Sequence, residues 1–267
     1  MGFNILGTLE VSHNGHICTP TAMKVRWTLA LLVCRANQIV GVNALIDELW
    51  GSQPPRSAVT TAQTYIYQLR KLFEREMLAR HGEELLETRP PGYLLRLDEG
   101  QVDAVRFEQL AEEGRVLFEQ GKPAPAADRL RAALSLWRGS ALENIPAGRL
   151  LEAHVVHLEE TRLRALELRI RADIMVGRHR ELIPELRSLV SQYPLNEWLH
   201  GQLIGALHQS GRRGEALRAF QKTRDVLNTE LGLEPSAALQ HLQHRILNAD
   251  DPTTSADHFS EIPVALH

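Results

Sequence analysis

Residues 42–97 constrain this chain most, because their apolar spacing and their helix breakers admit one order of elements. Val42, Leu45, Ile46, Leu49 and Trp50 recur at the spacing of a helix with one buried face. Gly51 ends that stripe, and Pro54-Pro55 forbids its continuation. Ser57 stands where an N-cap belongs. The set Val59, Ala62, Tyr65, Ile66, Leu69, Leu72 and Phe73 then predicts a long helix to about Arg80, with that set against the core. After it, ELLETRPPGYLLRL reads as two short strands around Pro-Pro-Gly, with Pro91 and Gly92 central in a type II turn. Helix, break, helix and hairpin make a winged helix.

Upstream, Phe3, Ile5, Gly7, Leu9 and Val11 alternate as a half-buried strand. Asn14-Gly15 suits a two-residue type I′ turn, and Ile17 begins the return. A further helix over 25–36 carries Trp27, Ala30, Leu31 and Cys34 at helical spacing. The outer face of the long helix is the most informative. Thr60, Thr64, Tyr67, Gln68 and Lys71 lie there, flanked by Thr61, Gln63 and Arg70. A solvated helix face is usually rich in Glu and Lys, and through Gln68 this one has neither. Hydroxyls, amides and a phenol donate to phosphates, touch thymine methyls and read base edges. The plain alternative is a polar surface. Arg89, at the hairpin tip, is placed to enter a minor groove or to meet phosphate.

The net charge of −3 argues, taken alone, against a nucleic-acid ligand. Residues 1–97 carry ten Lys/Arg against eight Asp/Glu, a net +2, and the remainder carries twenty against twenty-five, a net −5. That asymmetry permits DNA binding without demanding it. No apolar run approaches the roughly 20 residues of a membrane span. The start has no basic n-region or cleavage site, and Cys18 and Cys34 fit no metal spacing, so a cytoplasmic protein without membrane attachment is expected. No GxxxxGK[ST] loop, Ser-His-Asp set or paired-carboxylate arrangement stands out. His154/His157 and His241/His244 lack a third ligand at useful spacing. Neither enzymatic activity nor a metal or other cofactor is expected.

From residue 102 to 248 the pattern is helical almost throughout. Gly177 and Gly211 stand 34 residues apart, with Leu182 and Ala216 five positions on, and Leu186 and Phe220 nine. Thirty-four residues is the tetratricopeptide period. Gly121, with Ala126 and Leu130 at the same offsets, starts a third copy. The fold class is therefore mainly α with small β elements: an α+β winged helix over 1–97, then an all-α, TPR-like domain over 102–248. Residues 249–267 are polar and aperiodic, and are expected to form a disordered tail.

The order sheet, three helices, hairpin resembles the DNA-binding domain of OmpR/PhoB-type regulators. LIDELWG, TAQTYIYQLRK and TRPPGYLLRL resemble the Streptomyces antibiotic regulatory protein family closely. ALSLWRGSALENI, RLRALELRIRADIMVGRH and ELGLEPSAALQHLQHRIL are similar to its bacterial transcriptional activation domain. The resemblance implies an activator that binds direct repeats in double-stranded promoter DNA as a head-to-tail dimer and contacts RNA polymerase holoenzyme, controlling an antibiotic-type gene cluster. It implies a DNA interface of Ser57, Thr60, Thr61, Thr64, Tyr67, Gln68 and Lys71, with Lys24, Arg26, Arg70 and Arg89 on phosphates. The loop over 52–56, with Ser52, Gln53 and Arg56, would face the polymerase. A protein-interaction scaffold and a ligand-sensing regulator are the alternatives.

Overall fold

The computed structural model describes residues 1–76, 85–98 and 100–248. The expected last residues of the long helix, 77–80, and the polar tail lie outside the described residues. The chain divides into two compact units, Met1–Leu168 and Arg169–His267.

The first unit opens with β1 (Gly2–Asn4), β2 (Glu10–His13) and β3 (His16–Ile17), an antiparallel sheet in that order. Asn14 and Gly15 both have positive φ, as the β2–β3 turn requires. The alternating run from Phe3 to Val11 is not one strand. β1 folds back on β2, pairing Phe3 with Val11, because the chain between them bonds elsewhere. There Asp103 accepts hydrogen bonds from the Ile5 N–H (2.7 Å) and the Leu6 N–H (3.1 Å).

Next come α1 (Met23–Cys34), β4 (Ile39–Gly41), α2 (Val42–Trp50) and α3 (Ala58–Arg75), then the hairpin β5 (Leu86–Arg89) and β6 (Gly92–Leu95). Every residue of α1 from Thr28 to Val33 is buried, which suits a helix apolar on all sides. β4 joins the wing, giving the strand order β4-β6-β5. The expected type II turn is not formed. The two-residue loop is Pro90-Pro91, and Gly92 already belongs to β6, opposite Gly41 of β4. Glycine stands there for clearance, since a Cβ would lie 1.9 Å from the Val40 carbonyl oxygen.

The same unit contains α4 (Asp103–Glu119), α5 (Pro123–Leu134) and most of α6 (Arg149–Met175). These are stitched to the winged helix by buried polar bonds. Glu48 on α2, 3 % exposed, accepts from Trp27 Nε1 (3.2 Å) and from the Gly148 and Leu150 N–H groups (2.7 and 2.8 Å). It thereby satisfies open donors at the start of α6 and favours that helix dipole. The Arg138 and Leu142 N–H groups bond the Leu6 and Ile5 carbonyls.

The second unit holds the end of α6, then α7 (His179–Gln192), α8 (Glu197–Gln209), α9 (Arg213–Leu231) and α10 (Ala237–Leu247). α8 is buried continuously from Leu199 to Leu207, sandwiched between α7 and α9. Within this unit Asp173 lies between Arg169 (3.2 Å) and Arg178 (3.1 Å), and Arg169 also pairs with Glu185. The three repeat glycines, Gly121, Gly177 and Gly211, all take positive φ just after α4, α6 and α8. Such a left-handed residue closes a helix and turns the chain into the next. The apolar partners Ala126, Leu130, Leu182, Leu186, Ala216 and Phe220 are all buried. Among the described residues no helix is long and apolar enough to cross a membrane.

Candidate nucleic-acid interface

α2 and α3 lock together through the stacked rings of Trp50 and Tyr65, 6.3 Å apart. Ala62, Ile66, Leu69 and Phe73 anchor α3 in the core. Val59 departs from the expected core set: it lies in the first turn of α3 and is 49 % exposed. Thr60, Gln63, Thr64, Tyr67, Gln68 and Lys71 are exposed, and Tyr67 shows 59 % of its surface. α3 carries no carboxylate before Glu74. The outward face therefore offers donors and a phenol with no intervening negative charge to repel phosphates. Ser57 holds the N-cap position, but its side chain makes no cap bond. It accepts instead, at 3.4 Å, from the hydroxyl of half-buried Thr61. The Thr64 hydroxyl donates back to the Thr60 carbonyl (2.9 Å), leaving its methyl outermost.

The cations expected on phosphates divide. Lys24 is held within the fold: its ammonium donates to the Leu49 carbonyl and sits 4.2 Å from the Trp27 ring centroid. A cation at the last turn of α2 is favoured by that helix dipole, and burial lowers the Lys24 pKa. Arg70 also turns inward. It donates to the Leu86 carbonyl through Nε (3.0 Å) and Nη2 (2.9 Å), and to the Thr88 hydroxyl (2.9 Å), tying α3 to the wing. Arg26 is half-buried on α1, and its Nε has no hydrogen-bond partner among the described residues. Lys71 stays outward, paired with Glu74 at 2.8 Å, and that hydrogen bond raises its pKa. Arg89 is exposed at the wing, 2.7 Å from Glu87. Hydrogen bonds from Arg96 and Arg89 hold the Glu87 carboxyl below the ordinary range.

A groove of about 610 Å³ runs beside α3, lined by Tyr67, Gln68, Lys71 and Arg75 on one side and by Thr21 and Ala22 at the start of α1 on the other. The first turn of α1 has no acidic residue and no side-chain cap, so its N–H groups remain open to an anion. Arg75 and Thr21 were not anticipated. Arg75 stands one turn after Lys71, a spacing that could have marked it, whereas Thr21 carries no local signal. Residues 51–57, between α2 and α3, are exposed without a break, including Ser52, Gln53 and Arg56.

Residues 17–95 match the family model for the transcriptional regulatory protein C-terminal domain, and residues 102–247 match the bacterial transcriptional activator domain. The regulatory protein DnrI of Streptomyces peucetius is 48 % identical over 253 residues, covering 94 % of this chain and 93 % of that protein. The transcriptional regulator RedD of Streptomyces coelicolor is 36 % identical, covering 93 % of this chain and 71 % of that protein. Among solved structures, Mycobacterium tuberculosis EmbR in complex with a low-affinity phosphopeptide superposes with a TM-score of 0.84 at 33 % identity. That match covers 93 % of this chain and 65 % of EmbR.

Proposed function

The chain belongs to the Streptomyces antibiotic regulatory protein family of DNA-binding transcriptional activators, and from that premise we propose that it switches on a secondary-metabolite gene cluster in the cytoplasm. It binds tandem direct repeats near a promoter as a head-to-tail dimer and recruits RNA polymerase holoenzyme. The observation that carries this reading is the exposed face of α3, without a carboxylate before Glu74, beside a groove lined by Lys71 and Arg75. Thr60, Thr64, Tyr67 and Gln68 meet base edges in the major groove, and Lys71 and Arg75 meet the flanking phosphates. Ser57, Thr61 and Arg26 border that surface, and Arg89 reaches the backbone from the wing. Arg70 contributes by holding the wing at its angle to α3. The exposed loop with Ser52, Gln53 and Arg56 is the polymerase contact.

A DNase footprint over promoters neighbouring the gene, with and without holoenzyme, tests this. The expected result is protection of repeats one helical turn apart, extended when polymerase is added. Folded protein that protects no promoter would overturn it.

A further inference from the structure

Residues 169–248 run against the charge of the whole chain: eleven Lys/Arg against eight Asp/Glu, a net +3 within a protein of net −3. Part of that excess borders a groove of about 600 Å³ formed by α7, α8 and α9. Its accessible apolar lining includes Val190, Pro194 and Val226, and Arg187, Arg218 and Lys222 stand along it. One carboxylate lines it, Glu215, and it is already neutralised by Arg187 and Arg212, each at 2.7 Å. Among the described residues Arg218 and Lys222 have no carboxylate partner. His200 donates its Nε2–H to the Pro194 carbonyl (3.0 Å), and its Nδ1 lies 2.8 Å from the Thr223 hydroxyl, which also donates to the Ala219 carbonyl (2.9 Å). Burial and neighbouring Lys222 lower its pKa.

We propose that this groove docks an acidic, partly apolar segment of another protein. Arg218 and Lys222 stand one turn apart on α9, which places their side chains ~6 Å from each other. Alternate side chains of an extended segment are ~7 Å apart, so two carboxylates reach both cations while apolar side chains meet the accessible Val190, Pro194 and Val226. A nucleic-acid backbone would satisfy the cations and leave the apolar lining unfilled. The groove shares no residue with α3, and the proposal stands whether or not the DNA reading does.

The test uses the full chain and a fluorescent peptide repeating Glu-Leu-Glu-Ser over about twelve residues, read by anisotropy. Saturable binding is expected, weakened about tenfold when Gln replaces Glu in the peptide. The Arg218→Glu/Lys222→Glu variant should lose a similar factor with an unchanged circular dichroism spectrum, while Arg180→Glu, which does not line the groove, changes nothing. Equal binding of the Gln peptide, or full affinity after the charge reversal, overturns the proposal. If the reversal weakens duplex DNA binding and spares the peptide, the groove serves nucleic acid and the proposal falls.

Discussion

Glu48 and Asp103, in the first unit, reach about a hundred residues along the chain to satisfy backbone N–H groups. In the second unit α8 packs against α7 and α9, its own chain neighbours. The first arrangement depends on two buried carboxylates meeting donors on distant elements. The second depends on a repeated apolar face, each helix burying what the last one exposes. Loss of a single side chain should therefore act differently in the two places. A carboxylate removed from the first unit strands several donors at once, and an apolar side chain removed from the second leaves a local cavity.

The largest effect is expected from Glu48→Ala, about 4 kcal/mol, because two backbone N–H groups and the Trp27 indole lose a charged acceptor in a buried place. Hydrogen exchange should show the loss of protection in α2 and at the start of α6; protection unchanged there would remove Glu48 from its clamping role. Leu207→Ala should cost about 3 kcal/mol, with the protection lost in α7, α8 and α9. If either variant lowers protection equally in both units, the contrast between them fails.

Asp103 sharpens the comparison through pH. Burial raises its carboxyl above the ordinary Asp range, against the lowering effect of the Ile5 and Leu6 N–H groups and Arg138. A raised folded value means that the stability lent by the protonated group is complete below the unfolded Asp pKa of about 3.9. It is lost as pH rises through the folded value. Asp103→Asn does not titrate, so its deficit against the parent should narrow as pH rises across that window. Urea unfolding at a series of pH values checks this, and a deficit that widens contradicts it.

The smallest effects concern the two lysines near the interface. Lys71→Ala should weaken operator binding modestly and reduce the slope of log affinity against log salt by about 1, one phosphate contact. Lys24→Met should leave that slope unchanged, because its ammonium is held at the Leu49 carbonyl. Equal slopes for both variants would mean that the inward and outward placements make no difference to DNA.

Much of this was legible beforehand. The α2 stripe, the break at Gly51, the long α3, the wing hairpin and the repeat glycines all lie in local spacing, and local spacing reports which face a helix or strand buries. The outward residues of α3 followed from the same periodicity, since positions opposite a buried stripe are exposed. β4 was missed: Ile39, Val40 and Gly41 are too short a run to signal a strand without the β6 partner that pairs with them. The wing glycine was read as a turn residue when its cause is the Val40 carbonyl beside it.

The sequence by itself determined the succession of α2, break, α3 and hairpin, the three-copy helical frame, and a long helix whose outer face lacks carboxylates through Gln68, because each rests on contacts between near neighbours in the chain. Tertiary structure alone decided that Val59 lies outside the core, that Lys24 and Arg70 turn inward, and that the winged helix and the first helices after it form one compact unit. The reason is geometric. A long cationic side chain goes to whichever carbonyl lies within reach, and a buried carboxylate to whichever N–H groups are open. Only the folded backbone brings the Leu49 and Leu86 carbonyls, and the N–H groups of Ile5, Leu6, Gly148 and Leu150, to those places.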